Sequence, residues 1–316
     1  MSAFTPVLEP TKSALAFQNI LVATDFSDAS QRALEYASAF ARLQGAELLI
    51  VHAVPSEPKG AVPMDPLPHE LDRPLIEAEK KIRELKGLGG LSYRTEIAHG
   101  RVWDVLSSAI ERQNTDLLVL GTHGRSALQK LAMGSVAEEV LRRAGCPVLT
   151  VGPHCDPASS SIAEPRVILL ATDFGPASAR ALPYALSLAQ SYDAQLVLVH
   201  MVPPMPLADA AYAPAVFDAE DITRWRETVR DESYRKLRAL VPAGALDKDP
   251  ILEVGMDFLP EGILAAAAAH DVDLIVMGAN RGSSPRIASH IPWALTHHVI
   301  CDACCPVMTV REAAAM

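Results

Sequence analysis

The stretch GTHGRSALQKLAMGS, residues 121–135, has the residue types and spacing of an anion site. Gly121 is followed after two residues by Gly124, and after nine more by the pair Gly134-Ser135. DLLVL before it (116–120) reads as a strand, and VAEEVLRRAG after it (136–145) as a helix. Glycine lets backbone N–H groups approach an anion without side-chain interference. A helix that begins after Ser135 offers unpaired N–H groups and the positive end of its dipole. Ser135 adds a hydroxyl and Arg125 a cation. A second reading needs no ligand: the same glycines could serve tight turns and close helix packing.

The elements that would position this loop are written twice. ILVATDF (20–26) returns as ILLATDF (168–174), and the following 29 residues align without a gap at a constant offset of 148, which pairs Asp25 with Asp173 and His52 with His200. TDLLVLGTHG (115–124) matches VDLIVMGANR (272–281), and CPVLTV (146–151) matches CPVMTV (305–310). The repeat predicts two α/β domains, 18–152 and 166–312, behind a lead-in of residues 1–17 and joined by a Pro/Ser-rich linker at 153–165. In each copy, apolar runs such as NILVAT and AELLIVHAV read as strands buried on both faces. They alternate with helices such as SDASQRALEYASAFARLQG, whose start Ser27 or Asp28 can cap and whose end Gly45 can close. The proline-rich run 55–74 reads as a loop, and LIEAEKKIRELKGL (75–88) as a charged helix. Each copy should therefore be a Rossmann-like, five-stranded parallel sheet flanked by helices. Ligands in such sheets sit beyond the carboxyl ends of the strands where the winding reverses. ATDF and GTHG both lie there.

Composition narrows the classes. A net charge of −10 argues against a nucleic-acid surface, and no apolar run approaches the length of a membrane span. The N-terminus lacks a basic stretch followed by an apolar core, so a cytoplasmic protein with reduced thiols is expected. The five cysteines form no disulfide framework.

With ILVATDFS at its start, the glycine loop in its middle and CPVLTV at its end, each copy resembles a domain of the universal stress protein family, and the whole chain its tandem form. The resemblance implies binding of an adenine nucleotide, usually ATP, with or without a magnesium ion. It implies that Ala23, Thr24 and Asp25 border the adenosine and that Ala53 offers backbone contacts to adenine. Gly121, His123, Gly124, Arg125, Gly134, Ser135 and Val136 would surround the ribose and phosphates. Asp25 has three open roles: ribose hydroxyls, a divalent cation, or a cap for the helix near Ser27. The family also implies pairing through the last strand, here inside one chain, with residues 147–151 antiparallel to 306–310. Homodimers of chains are compatible with this.

The second copy departs from the pattern. Gly278 is kept, Gly282 stands four residues on, and ASHIPW replaces the Gly-Ser pair, with Pro285 and Pro292 removing N–H donors. Phosphate binding is expected in the first domain only; the second is left for no ligand or a less charged one. HHVICDACC (297–305) contains a C-x-x-C with histidines upstream, but it aligns with a helix end and strand start, where cysteine serves as a small apolar residue. His52 and His200 each end a strand beside the crevice and are expected to line it. There is no Gly-rich Ser loop after the first strand and no G-x-x-x-x-G-K-[ST] loop. A regulatory nucleotide binder is therefore favoured. The alternatives are an ATP-hydrolysing or ATP-using enzyme in the same cleft, and a small-molecule binder through the second domain.

Overall fold

The computed structural model describes residues 15–55, 68–123, 133–155, 164–202, 219–256, 259–279 and 291–311. The first half runs β1 (Asn19–Ala23), α1 (Asp28–Gln44), β2 (Glu47–Val54), α2 (Pro68–Arg83), β3 (Tyr93–His99), α3 (Val102–Gln113), β4 (Leu117–Gly121), α4 (Ser135–Arg143) and β5 (Val148–Val151). The second repeats the order with β6 (Val167–Ala171), α5 (Pro176–Ser191), β7 (Gln195–Met201), α6 (Ala219–Leu240), β8 (Ile251–Gly255), α7 (Leu259–Ala269), β9 (Leu274–Ala279), α8 (Ile291–Asp302) and β10 (Val307–Arg311).

All ten strands lie in one sheet of order β3-β2-β1-β4-β5-β10-β9-β6-β7-β8. Each half is a parallel five-stranded sheet, as the alternation of apolar runs and helices predicts. The halves meet through the only antiparallel pairing among the described strands, where Val307 faces Thr150, Met308 faces Leu149 and Thr309 faces Val148. The expected internal pairing of the last strands is therefore present. Two threonine hydroxyls reinforce it: Thr150 Oγ1 donates to the Val307 carbonyl at 3.0 Å and Thr309 Oγ1 to the Val148 carbonyl at 3.3 Å. Buried hydroxyls in a seam need such partners.

The strands are apolar on both faces because both are covered. On one face Ile20, Val22, Leu48, Ile50, Leu117 and Val119 pack with α1 and α5. On the other, Leu21, Leu49, Val51, Leu118 and Leu120 pack with α3, α4, α7 and α8. Each apolar layer runs unbroken from one half into the other. On the first face the halves also meet outside the sheet, where Phe17 stacks on Tyr184 (centroids 6.0 Å apart) and Phe40 meets the edge of Tyr192 at 6.1 Å.

Local signals act as the sequence implies at α1. Ser27, not Asp28, is the N-cap, its hydroxyl taking the Ser30 amide at 3.3 Å, and Gly45 closes the helix at φ +64°. Helix α2 is a correction. It begins at Pro68, inside the run expected to be a loop, and stops at Arg83, five residues before the expected end. Pro68 is tolerated at the first helical position, where its missing N–H has no intrahelical partner to lose. Past Arg83, Gly87 and Gly90 take φ of +86° and +75°, which breaks the helix and turns Leu88 into the core.

A continuous sheet and continuous apolar layers should unfold as one unit. Calorimetry is expected to record a single transition for the full chain, and Leu149→Ala to lower its stability by about 2–5 kcal/mol. Two separated transitions, with only one moved by Leu149→Ala, would show that the halves fold independently.

Candidate functional site

The crevice of the first half forms where β1 and β4 part. Val22 pairs with Val119 and Ala23 with Val51, so Ala23, Thr24, Asp25 and Gly121 leave the sheet at its carboxyl edge together with Ala53 of β2. Ala23, Asp25, Ala53, Gly121 and His123 are half-buried there and Thr24 is buried. Gly124 and Arg125 lie outside the described residues, as do Gly282 and Pro285 of the second half.

The turn after β1 is held by its own side chains. Thr24 Oγ1 lies 3.1 Å from Ser30 Oγ and accepts the Phe26 amide at 3.1 Å. Asp25 Oδ1 accepts the Ser27 amide at 3.0 Å and the Ser27 hydroxyl at 2.5 Å. That oxygen is thus committed to orienting Ser27, which is the cap of α1; Asp25 itself does not cap the helix. Phe26 adopts φ +62°, a left-handed conformation that a bulky residue takes only when its surroundings impose it. Its ring lies 4.5 Å from that of His52, and His52 Nδ1 is 2.7 Å from the Thr24 carbonyl. A carbonyl only accepts, so this nitrogen carries the proton.

The second half repeats the device. Phe174 has φ +57°, its ring lies 4.4 Å from His200, and His200 Nδ1 is 2.8 Å from the Thr172 carbonyl. Burial holds His200 below its ordinary value near 6.5, so the ring is neutral at pH 7. His52 and His200 therefore brace the turns beside the crevices. The Phe26–His52 contact was not foreseen from sequence, although the exact repeat of both residues at one offset was its signal. Two exchanges separate the copies, Gly175 for Ser27 and Pro176 for Asp28; without the serine, Ser178 Oγ reaches Asp173 Oδ1 at 2.6 Å.

The glycines divide by role. A Cβ on Gly121 would stand 2.8 Å from the backbone of Ala29 in α1, and one on Gly278 would stand 2.3 Å from the backbone of Ala177 in α5. Both serve the close approach of helix to strand, the ligand-free reading of a glycine here. Gly134 is the N-cap of α4 and brings no side-chain acceptor; its own N–H donates to the Thr122 carbonyl at 2.8 Å. The first-turn amides of α4, with the exposed Ser135 and Val136, thus form an uncapped helix N-terminus. Thr122 is the residue the sequence did not single out. Besides receiving Gly134, its N–H donates to the Val151 carbonyl at 3.1 Å, and its hydroxyl lies 2.7 Å from His123 Nδ1.

Among the described residues no group of three or more His, Cys, Asp or Glu is placed to hold a metal, and no helix is long and apolar enough to cross a membrane. In HHVICDACC, His297 Nδ1 lies 3.9 Å from Cys301 Sγ, and His298 pairs with Asp302 at 2.9 Å. Burial pushes Cys146 up to about 11, and Cys305 also far above the ordinary thiol range.

Two doubly wound α/β units fused edge to edge, each with a crevice at its strand reversal, define a tandem Rossmann-like protein. The chain belongs to the universal stress protein family, whose model matches residues 16–152 and again 165–311. A universal stress protein of Thermus aquaticus is 38% identical over 137 residues, covering 43% of this chain and 98% of that one. One of Methanocaldococcus jannaschii is 32% identical over 140 residues, covering 43% and 82%. A longer one of Mycolicibacterium smegmatis is 26% identical over 242 residues, covering 71% and 80%. In fold, the chain is similar to a universal stress protein of Archaeoglobus fulgidus, with a TM-score of 0.64 at 19% identity over 93% of this chain and 98% of that one.

Two outcomes follow from these contacts. Gly121→Ala and Gly278→Ala should each destabilise the protein by about 1–3 kcal/mol, read as a lower urea midpoint, because α1 or α5 must move off the sheet. An unchanged midpoint would remove the packing role. His200 binds fewer protons folded than unfolded, so its contribution is complete above about pH 6.5 and is lost as pH falls through its lower folded value. Wild-type stability should fall below that pH more steeply than that of His200→Gln; parallel curves would exclude His200 as the cause.

Proposed function

We propose that the chain is an adenine-nucleotide-binding regulatory protein that holds ATP, with or without magnesium, in the crevice of its first half. The observation that carries this reading is the uncapped N-terminus of α4, with Ser135 exposed, at the same sheet edge as the turn 23–25. Helix N-termini with free amides favour phosphate oxygens. In this reading Ser135, Val136 and the loop residues His123, Gly124 and Arg125 meet the phosphates and ribose, while Ala23, Thr24, Asp25 and Ala53 border the adenosine. Gly121 acts beneath them by letting α1 close on β4. Asp25 contributes mainly by fixing the turn, since its Oδ1 is already bonded to Ser27.

The second half keeps the turn but not the Gly-Ser pair, so one site per chain follows. The sequence ATDFSDAS after the first strand, in place of a Gly-rich Ser loop, supports the regulatory rather than the enzymatic alternative. Titration of ATP into the full chain should give about one site. Gly134→Val, which places a branched side chain at the N-cap, should weaken binding by about tenfold or more while the fold is retained. Two equal tight sites, or unchanged affinity in Gly134→Val, would refute the reading. Turnover of ATP at rates typical of enzymes would shift it to the enzymatic alternative.

A further inference from the structure

The brace beside each crevice has a third member. Lys81 Nζ of α2 lies over the Phe26 ring, 5.8 Å from its centre, and that ring also rests on His52. In the second half Lys236 Nζ of α6 lies 5.7 Å from the centre of the Phe174 ring, which rests on His200. Each lysine is held by a glutamate one turn earlier, Glu77 and Glu232, both at 2.8 Å. An ammonium over a ring at this distance is attracted by the ring's quadrupole. In both copies the left-handed phenylalanine is thus gripped by a histidine from a strand and a lysine from a helix.

The two helices have few buried residues of their own. Of residues 73–83 in α2 only Ala78 and Ile82 are buried, and Ile76 is 63% exposed. Of residues 220–240 in α6 only Ser233 and Leu237 are buried. Elements with so few buried contacts open locally at small cost in free energy. Lys81 stands one turn from Ala78 and beside Ile82, on the narrow face that α2 buries, and Lys236 stands likewise to Ser233 and Leu237. An offset of 155 pairs Glu77 with Glu232, Ala78 with Ser233, Lys81 with Lys236 and Ile82 with Leu237. The phenylalanines pair at 148, so the same contact is rebuilt across connections of different length.

We propose that Lys81 is a positioning residue that couples α2 to the first crevice: the turn 24–27 and α2 order and loosen together, so a ligand that orders the turn also orders the helix. The inference rests on the nucleotide reading above for its ligand. It gives that reading a route by which occupancy of the crevice reaches an exposed helix. The coupling can be no larger than the contact that carries it, and a partly exposed cation–π contact corresponds to about two- to fivefold in an equilibrium.

Three full-length proteins test this: wild type, Lys81→Met, which keeps the stem and removes the charge, and Lys81→Arg, which keeps a cation for the ring. Hydrogen exchange is read with and without ATP. Without nucleotide, residues 75–83 should exchange about two- to fivefold faster in Lys81→Met than in wild type or Lys81→Arg, with β1 and β2 unchanged. Saturating ATP should slow these residues by a similar factor in wild type and Lys81→Arg, should leave them unaltered in Lys81→Met, and should not change residues 230–240 of α6. Equal exchange in all three proteins without nucleotide, or equal acceleration in both variants, overturns the role of the charge. Bound ATP that leaves residues 75–83 of wild type unchanged, or that slows α6 equally, overturns the coupling. If wild type binds no ATP but the nucleotide-free pattern holds, the nucleotide reading fails and the tie between α2 and the turn through Lys81 stands.

Discussion

The antiparallel pairing of β5 with β10 is the interaction on which the rest of the molecule depends. A last strand with unpaired backbone groups at a sheet edge needs a partner. The duplicated chain supplies one internally, with Val148–Thr150 against Val307–Thr309. Two five-stranded sheets become one of ten strands, and two apolar layers become continuous across the join. The same join lays the end of α8, the last helix of the second half, over Gly152 of the first.

The crevices themselves depend on a smaller constraint that both copies keep. Thr24 and Thr172 each accept the amide of a following phenylalanine in left-handed conformation, and each offers its carbonyl to a histidine whose ring rests on that phenylalanine. This fixes the turn after the first strand whatever ligand the crevice takes. The copies diverge where the turn meets the helix, Ser27 against Gly175, and where the last helix begins, Gly134-Ser135 against ASHIPW. The brace was kept in both copies while the Gly-Ser pair was kept only in the first.

The roles of individual residues were harder to read than their positions. Gly121 looks like a phosphate-loop glycine in the linear motif, yet its missing Cβ faces α1. Asp25 reads as a ligand residue, yet one of its oxygens orients the cap of α1. Both residues stand where a polar ligand and a close helix contact make the same demand on residue type. Thr122 carries no motif, because it holds Gly134 and Val151 through backbone groups that any residue would provide.

The sequence by itself determined the duplication, the doubly wound class and the sheet edge where the crevice lies. These follow from hydrophobic periodicity and from a repeat long enough to align residue by residue, whereas the pairing of the last strands was implied by the family resemblance. It misplaced α2, because Pro68 is compatible with a loop and with a helix start alike. Tertiary structure alone decided which glycine of the loop motif packs against a helix. Gly121 closes on Ala29, 92 positions away, and Gly278 on Ala177, 101 positions away, and separations of that length leave no local trace in residue type or spacing.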